Sequence, residues 1–136
     1  MELFSDPWMK KYMTEWNNET LLSDELEKIG FNSTIAYGFD GEEHPRGIIS
    51  IINGKAASAG AYNGEEAHWD LRARPDSWES WMAKEMGMMG LGAAYTTRKL
   101  KFASGDYKAM IKNPRMAGPF IKSFSVMGRV KQSLHK

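Results

Sequence analysis

The sequence predicts an α+β fold in which a single sheet is covered by amphipathic helices. Three observations carry this. Residues 8–29 repeat large apolar side chains at helical spacing, while residues 31–73 alternate and are broken by Asp-Gly and Asn-Gly pairs. Residues 76–128 return to helical spacing around one short basic strand. At 136 residues the chain is long enough for one domain, residues 1–136, with a real core and no covalent staples.

The first helix starts at Asp6 as N-cap with Pro7 in the favoured first position. Trp8, Tyr12 and Trp16 then recur every four residues, with Met9 and Met13 beside them, giving one wide aromatic face. After Asn17-Asn18, a second helix over residues 20–29 presents Leu22, Leu26 and Ile29 and stops at Gly30. These N-terminal helices occupy residues 6–29.

Strands follow over residues 32–73. Phe31, Ile35, Tyr37 and Phe39 fall on one side of the first. Asp40-Gly41, Asn53-Gly54 and Asn63-Gly64 punctuate the run, and the two Asn-Gly pairs are hairpin signals because both central residues of that turn need positive φ. The result is four strands joined by tight connections. "GIISII", branched on both faces, reads as central and doubly covered. "AASAGA" is nearly all small and leaves space for a closely approaching helix or for a guest. "EAHWDLRAR" turns Ala67, Trp69, Leu71 and Ala73 inward and Glu66, His68, Asp70 and Arg72 outward.

Pro75 ends that strand, and Asp76 with Glu79 forms a capping-box pattern. Helices over residues 76–97 carry Trp78, Trp81, Met82, Met86 and Met89 at helical spacing, while Gly87, Gly90 and Gly92 break them. A fifth strand covers residues 99–104. C-terminal helices over residues 106–128 start at Asp106, are interrupted by Pro114, and carry Met116, Phe120, Phe124 and Met127 on one side with Lys122 and Arg129 toward solvent.

Charge is strongly asymmetric. Residues 1–97 hold eight Lys/Arg against sixteen Asp/Glu, and residues 98–136 hold ten against Asp106 alone, although the net charge is only +1. Either the basic end faces something anionic, or the two ends neutralise each other across the fold. The N-terminal "MELFSDPWMKKYM" lacks the basic patch and apolar run of a signal peptide, and no segment approaches the ~20 apolar residues of a membrane span, so a cytoplasmic protein is expected.

Catalytic chemistry is sparse. There is no cysteine for thiol catalysis, disulfides or cysteine-based metal sites. His68 and Asp70 share a strand face and read as surface decoration. Glu42-Glu43-His44 lacks a second ligand cluster, and His135 lies in the C-terminal tail. No phosphate loop, dinucleotide fingerprint or nucleophile elbow is present, so no catalytic residue, cofactor or metal is expected. The aromatics concentrate in the acidic two thirds, away from the cations, which argues against a nucleic-acid partner. Five Trp, six Phe and ten Met over a sheet with one nearly bare strand point instead to an apolar ligand held without polar machinery.

Three segments resemble the sterol carrier protein 2 (SCP2-like) lipid-transfer domain family. "GIISIING" resembles its apolar strand and glycine turn, and "WDLRARPDSWESWM" its strand, polar break and acidic-Trp helix start. "AAYTTRKLKFASGDYKAM" resembles its small helix, Lys-Leu strand and Gly-Asp helix opening. The similarity runs over about residues 15–127. Two departures stand out: Arg98 occupies the place of the family's Gly before Lys-Leu, and the terminal "SLHK" is not a Ser-Lys-Leu-type address.

The resemblance implies a five-stranded, mostly antiparallel sheet with helices on one face and a hydrophobic tunnel between. It further implies non-catalytic binding and transfer of a sterol, fatty acid or acyl-CoA. On it, the expected tunnel lining is Ile35, Tyr37, Ile49, Ile51, Trp78, Trp81, Met82, Met86, Met89, Met116, Phe120 and Phe124. Arg98, Lys101, Lys122 and Arg129 are expected to meet an anionic headgroup or membrane surface. The alternative is the same fold with its cavity filled by its own side chains, serving as an interaction module or accessory subunit of a larger enzyme. The carrier reading expects an interior void that the chain leaves vacant.

Overall fold

Among the described residues the elements run α1 (Asp6–Asn18), α2 (Thr20–Lys28), β1 (Ser33–Phe39), β2 (Gly47–Ile52), β3 (Lys55–Ala61), β4 (Trp69–Ala73), α3 (Pro75–Ala83), α4 (Met88–Thr96), β5 (Lys101–Ser104), α5 (Tyr107–Ile111) and α6 (Pro114–Leu134). The computed structural model describes residues 1–84 and 86–134, with side chains as far as Val130, so His135 lies outside the described residues.

Ser5, not Asp6, caps α1: its hydroxyl accepts from the Trp8 N–H at 3.4 Å, and its extended φ and ψ are those of a cap. Asp6 is thereby free to bind Lys10 at 2.5 Å and to accept from the Ala61 N–H of β3 at 3.1 Å. The predicted aromatic face is the buried one, with Trp8, Met9, Tyr12 and Trp16 all enclosed. Gly30, at φ +61°, lets the chain leave α2 in the left-handed conformation.

The sheet order is β3-β2-β1-β4-β5, with β1 in the centre. Three pairs are antiparallel, and β1 with β4 is parallel. Asn53-Gly54 is the expected hairpin, both residues having positive φ. Asn63-Gly64 is not a hairpin. A parallel neighbour requires a crossover, so residues 62–68 carry the chain from the β3 edge past β2 and β1. Thr34, opposite in phase to the inward Ile35, donates to the Glu66 carbonyl at 3.1 Å, which places this crossing on the face away from the helices.

That topology corrects the reading of "GIISII" as central. β2 lies second from the edge rather than in the centre; Ile49 and Ile51 enter the core and Ile48 is buried on the other face, so the strand is covered on both faces, but Ile52 is exposed. The bare ribbon of β3 is filled by a helix. Asn17 of α1 bonds both backbone groups of Ala56, at 2.8 and 3.0 Å, and a Cβ at Gly47 would sit 2.6 Å from Met9. Arg72 is also buried rather than outward. It grips Asp70 at 2.6 and 2.9 Å and donates to the Glu42 carbonyl, beneath residues 40–46, which fold over Gly38 and rest Pro45 where a Cβ would be.

The expected capping box does not form. Pro75 already opens α3, Arg74 is its N-cap, and no side chain caps it. The helical region does break, into α3 and α4, at Gly87. β5 begins two residues later than expected because Arg98, at φ +59°, closes α4, and the Lys99 and Leu100 N–H groups both return to the Ala94 carbonyl. Asp106 caps α5 as expected, accepting from the Ala109 N–H.

The core is an aromatic cluster beneath α1. Phe4, fully buried, meets Trp8, Tyr37 and Trp78 at centroid distances of 5.1–5.4 Å. Trp78 donates to the Gly38 carbonyl at 2.9 Å and Trp16 to the Gly54 carbonyl at 3.0 Å, so both indoles are buried without an unsatisfied N–H.

Arg98 pays the left-handed penalty of a residue with a Cβ. Arg98→Gly is therefore expected to raise stability by about 1 kcal/mol, read as a higher urea midpoint at unchanged m-value.

Candidate functional site

One apolar cleft stands beside this solid core. It lies over the β1–β4 seam, between α2 on one side and α5 with the start of α6 on the other. Its walls include Leu22 and Leu26 from α2, Phe31 and Ile35 entering and within β1, Trp69 from β4, and Met110, Met116 and Phe120 from α5–α6. Trp16, Tyr37 and Ser123 reach its floor. Counted to its open mouth the cleft holds about 430 Å³ free of atoms, but only about 30 Å³ of it is open to the centre of a water-sized sphere.

Local sequence positions these walls. Leu22 and Leu26 are one helical turn apart on α2. Gly105, at φ +103°, permits the β5–α5 turn and leaves room for Trp69, whose ring would sit 2.2 Å from any Cβ there. Pro119, buried inside α6, removes one helical N–H beside Phe120.

At the floor, the Tyr12 and Tyr37 hydroxyls are 3.0 Å apart, and Ser123 donates to the Phe120 carbonyl at 2.5 Å. Tyr12 also shares a hydrogen bond with Ser123. Burial pushes both phenols well above their ordinary ionisation range. The floor is therefore polar but uncharged.

Of the residues expected to line a tunnel, Ile35, Tyr37, Met116 and Phe120 border this cleft. Ile49, Ile51, Trp78, Met82, Met86 and Phe124 are packed into the core instead. Trp81 is half-buried and packs edge-on to Trp78 and Phe124. Met89 is 91% exposed and lines nothing. The wide tunnel left vacant by the chain is therefore absent from the described residues. Sequence reasoning missed Trp16, Leu22, Leu26, Phe31, Trp69, Met110, Pro119 and Ser123 as cleft residues. The apolar spacing of α2 was a signal for the two leucines, but nothing in the sequence says which helix faces the gap.

The four predicted cations also separate. Lys101 pairs with Asp40 at 3.0 Å, while Lys122 at 3.9 Å and Arg129 in direct contact both engage Glu19. Lys122 and Arg129 are thus held by an ion pair rather than left to solvent. Only Arg98 of the four is exposed without an ion-pair partner among the described residues. The two ends of the chain do neutralise each other, in part, across the fold.

Glu19 caps α2 through the Leu21 N–H, at 3.0 Å, and is itself buried. The hydrogen bond from Arg129 holds its carboxyl below the usual carboxylate range against the opposing effect of burial. His68 contacts Ser33 and Thr34 rather than Asp70, which belongs to Arg72. His44 reaches the exposed Glu43, at 3.8 Å, and stacks on Tyr62. No group of metal-binding side chains and no helix long and apolar enough to cross a membrane occurs among the described residues.

No protein-family model and no curated protein matches the chain. Solved structures do match. Sterol carrier protein 2 aligns at 17% identity and a TM-score of 0.73, covering 93% of this chain and 98% of that one. A conserved hypothetical protein from Thermus thermophilus, described as a possible sterol carrier protein, aligns at 18% identity and 0.70, covering 96% and 90%. A UbiJ-SCP2 ubiquinone synthesis protein aligns at 10% identity and 0.57, covering 91% and 88%. The chain thus has the sterol carrier protein 2 fold.

A carboxylate with a lowered folded-state pKa stabilises above its unfolded pKa, near 4.3, and that contribution fades as pH falls through the folded value. Wild type is expected to exceed Glu19→Gln by about 1–2 kcal/mol at pH 7, a figure reduced for the partly exposed Arg129. Urea midpoints of the two proteins should converge as pH is lowered below about 4.

Proposed function

We propose that this protein binds an apolar, lipid-type ligand without transforming it, in the cleft between α2 and α5–α6. The observation that carries this reading is a nearly all-apolar cleft that opens to solvent beside an otherwise filled core. A sterol, a fatty acyl chain or the tail of an acyl-CoA suits such walls, because burial contributes ~25 cal/mol per Å² whatever the tail's shape. The likeness to proteins named as sterol carriers supports the same class.

The space open within the cleft is too small for such a ligand, so binding requires the α5–α6 wall to yield. Met110 and Met116 are unbranched and re-pack readily. Phe120 stands next to Pro119, where the helix ladder already lacks a donor. α5 is only five residues long. Trp16, Trp78 and Phe4 behind them are locked by hydrogen bonds or ring contacts and form the fixed wall.

A second reading is favoured by the small open space within the cleft and by the likeness to the UbiJ-SCP2 ubiquinone synthesis protein. In it the chain's own side chains fill the cavity, and the domain serves as an interaction module or accessory subunit of a larger enzyme. Native mass spectrometry of protein purified from its source separates the two: co-purifying lipid supports the carrier, and an empty chain held to a protein partner supports the module.

Phe120→Ala provides a direct test of the yielding wall. Stability should fall by roughly 2 kcal/mol for this half-buried ring, while affinity for a soluble apolar dye rises at least about fivefold. Unchanged or weaker dye binding in a folded variant would count against the cleft as the ligand site.

A further inference from the structure

The segment from Met86 to Thr97, "MGMMGLGAAYTT", contains no charged residue. Its helix, α4, nevertheless sits at the surface. Met88 is 49% exposed and Met89 is 91% exposed, the most exposed large apolar side chains of any structured element near this edge of the sheet. Gly90, Ala93 and Thr96 continue the exposed side, and nothing lies within 4 Å of a Cβ built at Gly87 or Gly92. Only Leu91 and Ala94 turn inward and are buried.

Cations stand immediately beyond. Arg98 and Lys99 follow the C-terminal end of α4, and both are exposed. Tyr95 of α4 stacks on Tyr107 at 3.8 Å, which brings the exposed Lys108 beside it. None of these three has an ion-pair partner among the described residues, unlike Lys101, Lys122 and Arg129. Of the exposed, unpaired cations in the described part of the C-terminal segment (Arg98, Lys99, Lys108, Lys112 and Arg115), the first three stand next to an apolar, charge-free helix.

We infer that α4 and the cations that follow it form a docking surface for an anionic lipid bilayer. The inference deepens the cleft reading and rests on it. A nine-residue helix is about 14 Å long, enough to lie in the interface and too short to span. Exposed thioethers enter the headgroup–acyl boundary, and Lys or Arg beside them meet anionic headgroups. The glycine-spaced surface of α4 presents two flexible methionines and little relief beside cations, and a fluid anionic bilayer complements both without a matching shape. The placement also serves the cleft. Tyr95 of α4 contacts Phe102 at 5.9 Å, and Phe102 contacts Phe120 at 6.0 Å, so α4 abuts the same wall that must yield to admit a ligand.

The test is co-sedimentation of the full chain with vesicles of phosphatidylcholine alone or with about 30% phosphatidylglycerol, which offers a few anionic headgroups to each docked protein. Binding should require the anionic lipid and weaken as salt is raised. Met89→Glu should lower it at least about fivefold, as should Lys99→Glu with Lys108→Glu, while Lys11→Glu, on the exposed side of α1, leaves it unchanged. Dye binding in vesicle-free buffer is measured on each variant and should not change, which separates loss of docking from loss of the cleft site. Equal binding to both vesicle types overturns the inference. So does loss in the charge variants with Met89→Glu unaffected, which would mean that cations alone hold the chain to the vesicles and α4 does not enter them.

Discussion

The fit of α1 against the small-residue side of β3 and β2 is the constraint on which the rest of the structure depends. Trp8, Met9, Tyr12 and Trp16 can be buried together only because Ala56 and Gly47 present almost no side chain at the contact. Each large ring removed from water contributes roughly 2–3 kcal/mol, and any Cβ at Gly47 would strike Met9. Hydrogen bonds fix the register of this contact at three points: Asn17 on Ala56, Asp6 on Ala61, and Trp16 on Gly54. The helix therefore cannot slide, and the aromatic cluster around Phe4 and Trp78 forms over the centre of the sheet.

With that side closed, the apolar cleft lies where the sheet continues to β4 and β5 without α1 above it. There the cover is lighter: two leucines of α2, the short α5, and the proline-containing start of α6. The cleft is the unfilled remainder of an asymmetric packing problem. Its floor carries the Tyr12, Tyr37 and Ser123 hydroxyls, which satisfy one another, so it is polar without being charged. The ion pairs obey the same division. Glu19 collects Arg129 and Lys122 where α6 crosses the α1–α2 junction, while Arg98, Lys99 and Lys108 stay exposed around α4 and α5.

Much of this was legible in the sequence. The aromatic face of α1, the Asn53-Gly54 hairpin, the break at Gly87 and the Asp106 cap all follow from local rules about periodicity and backbone conformation. Other features were not legible, for identifiable reasons. Asn63-Gly64 has hairpin chemistry, but the strand after it pairs with β1 rather than β3, and strand partners are chosen by burial across the whole sheet. Arg72 alternates outward, yet residues 40–46 fold over it, and alternation cannot report what covers a face. Ile49, Trp78 and Phe124 have the character of cavity walls, but whether an apolar residue lines a void or fills it depends on the volumes of neighbours distant in sequence.

By itself the sequence determined the fold class, the identity of most core side chains, the positions of the turns and the uneven distribution of charge, because each depends on residues within a few positions of one another. Only the tertiary structure decided that the small-residue strand receives a helix rather than a guest, and that three of four expected surface cations are taken up in ion pairs. It alone located the remaining apolar space between α2 and α5–α6. Those outcomes depend on how surfaces distant in the chain meet, and close packing leaves no freedom to infer such a fit from either surface alone.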